Sequence, residues 1–284
     1  ERVLRGEPSR KEAMTFGALW PRYEREYLVF TKGYTQDTSR GIHKKWLRER
    51  LDGLRLDEVA TAVPTLRSDL KAGIRTRGSD GHKTINNVTA VVGSVLRFAA
   101  TVGLLPVVPR LGRLPVTKPD MQWHEFDVYA RIVRAAEAEG FPWNVAVVLA
   151  GEAGLRVGEV LEARWREDVD LVGESITVQR KNSDGRIEPT KGRERRVVAI
   201  TSRLMAALRS TSRIREGLLV CTPGGAAFTR RDAESALARI YRRAGVAAGA
   251  WHVLRHTFGT HAAQFGVNPW RLQAWLGHKS ITTT

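Results

Sequence analysis

Four prolines, Pro106, Pro109, Pro115 and Pro119, fall within residues 104–122 and divide an otherwise helix-patterned chain in two. Proline fixes φ and lacks the amide hydrogen, so this density discourages both a continuous helix and a central strand. Residues 106–122 therefore read as an extended interdomain linker, and a length of 284 residues suffices for two domains around it. Residues 1–13 are polar and read as a tail, and residues 14–105 as a helical domain. Phe16, Leu19, Trp20, Tyr23 and Tyr27 recur at helical steps of three and four. Further helices are predicted over 38–51, with Lys44, Lys45 and Arg48 on the outer face, and after Pro64. Residues 75–83 read as a polar loop, and a long helix follows over 84–102, its buried stripe running from Val88 to Ala99.

Residues 123–284 are also predicted to be mostly helical, with helices near 123–138, 143–153, 156–166, 202–210, 230–244, 252–265 and 269–276. Between them, residues 175–180 alternate as a strand does, Asn182 to Gly185 is a turn signal, and residues 196–200 form a further strand. The expected fold class is mainly α with a small antiparallel β-sheet.

Charge narrows the partner. Lys and Arg number 46 against 30 Asp and Glu, a formal net charge of +16. Such a field favours polyanions, because each cation placed on a phosphate releases a counterion. No apolar run approaches the roughly 18 to 20 residues of a spanning helix, and no signal-peptide pattern opens the sequence. Membrane partners therefore rank below nucleic acid. The single cysteine, Cys221, excludes an intramolecular disulfide framework and a cysteine zinc cluster, and reads as a small core residue on a short buried strand.

Four short stretches carry chemistry. His252 and Arg255 share a helix face, pairing a proton carrier with a guanidinium able to hold non-bridging phosphate oxygens. His252 and His256 have metal-ligand spacing, but no carboxylate accompanies them as a general base. Arg156 follows Gly154 at a predicted helix start, near helix-terminal amides, with Glu159 placed to orient it or to make a surface salt bridge. Lys191 lies on a basic connection between two strands, suited to donate a proton or merely to grip phosphates. His278 follows Gly277 on a turn between helices, where a histidine is most often structural.

In this order and spacing the four stretches resemble the active-site signature of the tyrosine recombinases, the family of phage integrases and chromosome-dimer resolvases. The G-L-R-x-x-E context matches Arg156 and Glu159, T-K-G-R-x-R-R matches Lys191, H-x-L-R-H-T matches His252 to Thr257, and L-G-H-x-S-I-T-T-T matches Leu276 to Thr284. Val253 stands where the family usually has a polar residue. The N-terminal text around Leu54 to Val59, Thr84 to Val88 and Phe98 is similar to the family's helical core-binding domain.

The resemblance implies a core-binding domain over 14–105 and an α/β catalytic domain over 123–284. The implied activity is site-specific recombination, in which DNA strands are cut and rejoined through a 3′-phosphotyrosyl intermediate with no metal or other cofactor. Arg156 and Arg255 would stabilise the phosphorane, His252 act as base, Lys191 as acid, and His278 bond a non-bridging oxygen. Lys44, Lys45, Lys83, Arg110, Arg113 and Arg193 are the expected DNA-backbone contacts. Implied partners are duplex recombination sites, a homotetramer built on them from solution monomers, and accessory DNA-bending proteins, all in the bacterial cytoplasm. The family's nucleophilic tyrosine lies about nine residues past the L-G-H histidine, at about position 287, so residues up to Thr284 are expected not to cleave by themselves. Two alternatives are a type IB topoisomerase that nicks and reseals one strand, and a DNA-binding protein without catalysis.

Overall fold

The computed structural model describes residues 14–74, 80–117, 120–183, 185–189, 195–211 and 216–284. The chain divides into two compact units, Glu1–Pro119 and Asp120–Thr284. The 1–13 tail, residues 75–79 of the polar loop, and Lys191 and Arg193 lie outside the described residues.

The first unit opens with α1 (Phe16–Glu26), whose N-terminus is capped by the Thr15 hydroxyl accepting from the Ala18 amide at 3.2 Å. Phe16, Leu19, Trp20 and Tyr23 are buried, but the helix stops before Tyr27, which is exposed. The segment predicted as one helix over 38–51 is α2 (Gly33–Ile42), a π turn over His43–Leu47, and α3 (Arg48–Leu51). A π turn holds one extra residue per turn. Here it seats His43 flat on Trp20, with ring centroids 3.8 Å apart, and within 2.9 Å of Asp52. Helix α4 (Val59–Gly73) starts before Pro64 rather than after it, because Val59, Val63, Leu66 and Leu70 bury one face while Pro64 sits on the open one. Helix α5 (His82–Thr101) supplies the expected stripe, and Gly103 follows with φ +75°.

The described residues of the proline-rich stretch form neither helix nor strand, and part of them is bonded to this unit. Arg67 donates to the carbonyls of Leu111 (2.6 Å) and Gly112 (2.8 Å). The buried Asn86 amide pairs with both the N–H and the C=O of Leu114, each at 2.9 Å. Residues 111–115 are thus a strap on the helical core, leaving Arg110 and Arg113 exposed.

The second unit is built around α7 (Trp143–Glu152). Residues 145–151 of this helix are buried on every side, the mark of a central helix rather than an amphipathic surface one. It follows α6 (Phe126–Glu139) and precedes α8 (Val157–Val160) and α9 (Trp165–Asp168). The helix expected over 156–166 is broken here by tertiary bonds. The Trp165 amide donates to Gly217 O (2.9 Å), and the Leu219 amide to Ala163 O (2.8 Å). Strands β1 (Val169–Asp170), β2 (Ser175–Val178) and β5 (Arg196–Ala199) form an antiparallel sheet in the order β1-β2-β5, while β3 (Arg180–Ser183) and β4 (Arg186–Pro189) pair as a separate ladder. Ile176 lies opposite both Val169 and Val198. Leu219 and Val220 are buried, but Cys221 is only partly so and makes a single bridge with Ala227.

The remaining elements are α10 (Ser202–Arg209), α11 (Arg230–Arg243), α12 (Trp251–Gln264) and α13 (Pro269–Leu276). Helices α6, α10 and α12 pack on α7, and α13 packs on α12. Tyr241 is a buried α11 residue whose hydroxyl pairs with the His124 ring at 2.8 Å. The mainly helical chain with small antiparallel sheets agrees with the expected fold class. No described helix is long and apolar enough to cross a membrane.

Candidate active site

Gly154 turns the chain from the end of α7 into Arg156 with φ +65°. A Cβ there would stand 2.5 Å from the Phe258 ring, so a side chain is barred by space as well as by backbone conformation. Arg156 caps α8, and its backbone N–H and Nη1 both donate to the Glu159 carboxylate, at 2.8 and 3.1 Å. Because α8 is a single turn, the positive field at this point comes from guanidiniums rather than from helix amides.

Arg255 enters from α12. It is 2 % exposed, and it donates through Nη1 to Gly154 O at 2.5 Å and through Nη2 to Leu276 O. One side chain therefore ties the turn before Arg156 to the end of α13. There Gly277 adopts φ +61° and directs the chain into His278. The His278 Nδ1 lies 3.0 Å from the Thr284 hydroxyl, and its carbonyl accepts from Gln273 at 3.0 Å. His252, one turn before Arg255 on α12, keeps a face open to solvent and meets the His256 ring edge-on at 4.5 Å.

The charges define what this place accepts. Burial, then the neighbouring Arg156 charge, pulls the Arg255 guanidinium down to about 9, with Glu159 opposing. Burial would lift the Glu159 carboxyl, but hydrogen bonds and charge from Arg196, then Arg156, hold it below the ordinary range. Partial burial and the surrounding cations take His252 to about 4 and His278 to about 4. At neutral pH both imidazoles are therefore uncharged, able to take a proton or to donate one ring N–H. Arg156 and Arg196 both donate to Glu159 and the Arg255 guanidinium adds a third positive charge near it, so the cluster carries more positive than negative charge.

A pH dependence follows. Histidines held below their ordinary 6.5 stay neutral in the fold while the unfolded chain protonates. Stability should therefore fall as pH drops from about 6.5 to about 4, with His124, His256 and His261 shifted in the same direction, and go on falling in stronger acid as the depressed Glu159 carboxyl is protonated. Urea midpoints at fixed ionic strength will check this, and a flat profile between neutrality and mild acid would contradict it.

The structure thus brings Arg156, Glu159, His252, Arg255 and His278 together. Lys44 and Lys45 lie elsewhere, exposed on the π turn of the first unit, as do Lys83 at the start of α5, Arg113 on the strap and Arg110 just before it. None of these five cations makes an ion pair among the described residues. Two site residues lie within the quoted motifs but were given no part in the expected chemistry. His256 packs on His252, and Arg196 is buried at the start of β5. The signal for Arg196 was its strand register, which puts a charge on the same inward face as Val198.

Residues 122–284 match the phage integrase family. Among curated relatives, tyrosine recombinase XerC of Staphylococcus aureus (strain JH9) is 27% identical over 161 residues, covering 56% of this chain and 53% of that protein. The XerC of strain JH1 matches equally, so the chain spans about half the length of these relatives. Among solved structures, the integrase of transposon Tn1549 in complex with a circular-intermediate DNA superposes with a TM-score of 0.79 at 19% identity, over 95% of this chain and 93% of that one. A lambda integrase tetramer bound to a Holliday junction gives 0.73 at 17% identity, over 95% and 76%. At these identities the structures share the fold.

Proposed function

This chain belongs to the phage integrase family, and we propose that it serves as a site-specific DNA recombinase that cuts and rejoins strands through a 3′-phosphotyrosyl intermediate. The observation that carries the reading is the cationic cluster in which Arg156 and Arg255 stand beside two neutral imidazoles. A phosphodiester gains negative charge at its non-bridging oxygens as it becomes a phosphorane, and fixed guanidiniums stabilise that charge without reorganising.

In the proposed step a tyrosine oxygen attacks phosphorus and the bond from phosphorus to the 5′ oxygen breaks. His252 takes the phenolic proton and Lys191 returns one to the leaving 5′ oxygen. His278 donates its ring N–H to a non-bridging oxygen. A partner strand's 5′ hydroxyl then reverses the step, conserving bond energy. The helical residues 14–105 would grip the duplex through Lys44, Lys45 and Lys83, with Arg110 and Arg113 following the backbone. Four protomers would assemble on paired sites, as in the lambda integrase tetramer.

The full gene product, incubated in a chelator with a nicked cognate site, is expected to yield an adduct stable to detergent and joined to the 3′ end. Absence of any adduct on all tested sites would reject recombination, and relaxation of plasmid lacking a site would favour a topoisomerase. For binding, the double replacement Lys44→Ala/Lys45→Ala should flatten the plot of log affinity against log salt by about 1.8. An unchanged slope would remove these lysines from the interface.

A further inference from the structure

We propose that Arg196, to which the phosphoryl-transfer scheme gives no part, is a positioning residue that holds Arg156 and His278 against the same phosphate. This rests on the recombinase reading of the site. Arg196 is the first residue of β5, and its side chain is 8% exposed. Its guanidinium forks onto Glu159, with Nη2 to Oε2 at 2.6 Å and Nη1 to Oε1 at 3.1 Å. The same carboxylate holds Arg156, so Arg196 fixes the group on which Arg156 is braced. At its other edge Nε donates to Trp275 O at 2.8 Å. That carbonyl belongs to the last turn of α13, where helix carbonyls lack partners within the helix and a cation is favoured.

The next carbonyl, Leu276 O, is taken by Arg255, whose other end reaches Gly154 O. Arg196 and Arg255 are therefore two struts between the same pair of segments, 154–159 and the end of α13. Gly277 completes the fit, because a Cβ there would lie 3.2 Å from the Arg196 Cδ. Lysine cannot replace this strut, since an ammonium is a point charge without the planar fork that meets both oxygens and a carbonyl behind it. A misplacement of about 1 Å can cost about a hundredfold in rate.

The test compares the full gene product with Arg196→Lys, and with Arg196→Met/Glu159→Gln, which removes both charges of the Arg196–Glu159 pair. Three readouts are taken: equilibrium affinity for the site, single-turnover cleavage, and the titration midpoint of His278 by NMR in DNA-free protein. The cations and rings facing His278 are Arg255, Arg156, His252 and His256. Both variants are expected to bind DNA within about threefold of the parent and to cleave tenfold to a hundredfold more slowly. The His278 midpoint should rise toward the ordinary histidine value as Arg156 loses its brace. Parental cleavage by Arg196→Lys would overturn the proposal, and so would slowed cleavage with an unmoved His278. If the parent cleaves no site, the recombinase reading fails, while the His278 midpoint still decides whether Arg196 positions this cluster.

Discussion

Replacing Arg255 with alanine is expected to slow single-turnover strand cleavage by about two to four powers of ten, the range for removing a donor aimed at developing charge. The effect has two sources in the structure. A guanidinium is lost where the phosphorane would form, beside Arg156. Two carbonyls, Gly154 O and Leu276 O, also lose their donor in an interior where Arg255 is 2 % exposed. Each unpaired buried acceptor costs about 1–3 kcal/mol, so the variant should also unfold at lower urea. Arg255→Lys separates the two, because it restores charge but cannot span both carbonyls. It should remain slow while regaining part of the stability. Near-parental cleavage by Arg255→Ala would sink the assignment of this residue to the phosphate.

The largest effect on stability is expected at Glu159. Its carboxylate accepts four hydrogen bonds, two from Arg156 and two from Arg196, and its side chain is 3% exposed. Glu159→Ala would leave the buried Arg196 charge facing Arg156 and Arg255 with no counter-ion. Breaking a buried pair on one side costs about 3–5 kcal/mol. Denaturation of the second unit will measure it, and a loss below about 1 kcal/mol would mean that water enters and screens the guanidiniums. Removing both partners, as in Glu159→Leu/Arg196→Met, should recover the part due to the stranded Arg196 charge, since apolar side chains of similar volume can replace a buried pair, while Arg156 and Arg255 still lack the carboxylate.

Much of the frame was legible from local pattern. The stripe of α5, the apolar steps of α1 and the helical run of α7 depend on neighbours within a few residues, so periodicity reveals them. The residue types at Arg156, Glu159, His252, Arg255 and His278, with their order, carried the family and the chemistry before any contact was seen. Other features came from partners far along the chain. The break between α8 and α9 is made by Gly217 and Leu219, and the strap by Arg67 and Asn86. The π turn around His43 needs Trp20 beneath it.

Sequence by itself determined which groups the second unit would offer to the proposed phosphate, because chemistry resides in side-chain type and spacing along single helices. Only the tertiary structure decided how they are held. The bonds of Arg255 to Gly154 and Leu276, and of Arg196 to Glu159 and Trp275, join residues from 21 to 101 positions apart. Periodicity within one element carries no trace of such pairs. They form because a buried guanidinium must find acceptors wherever the packed chain offers them.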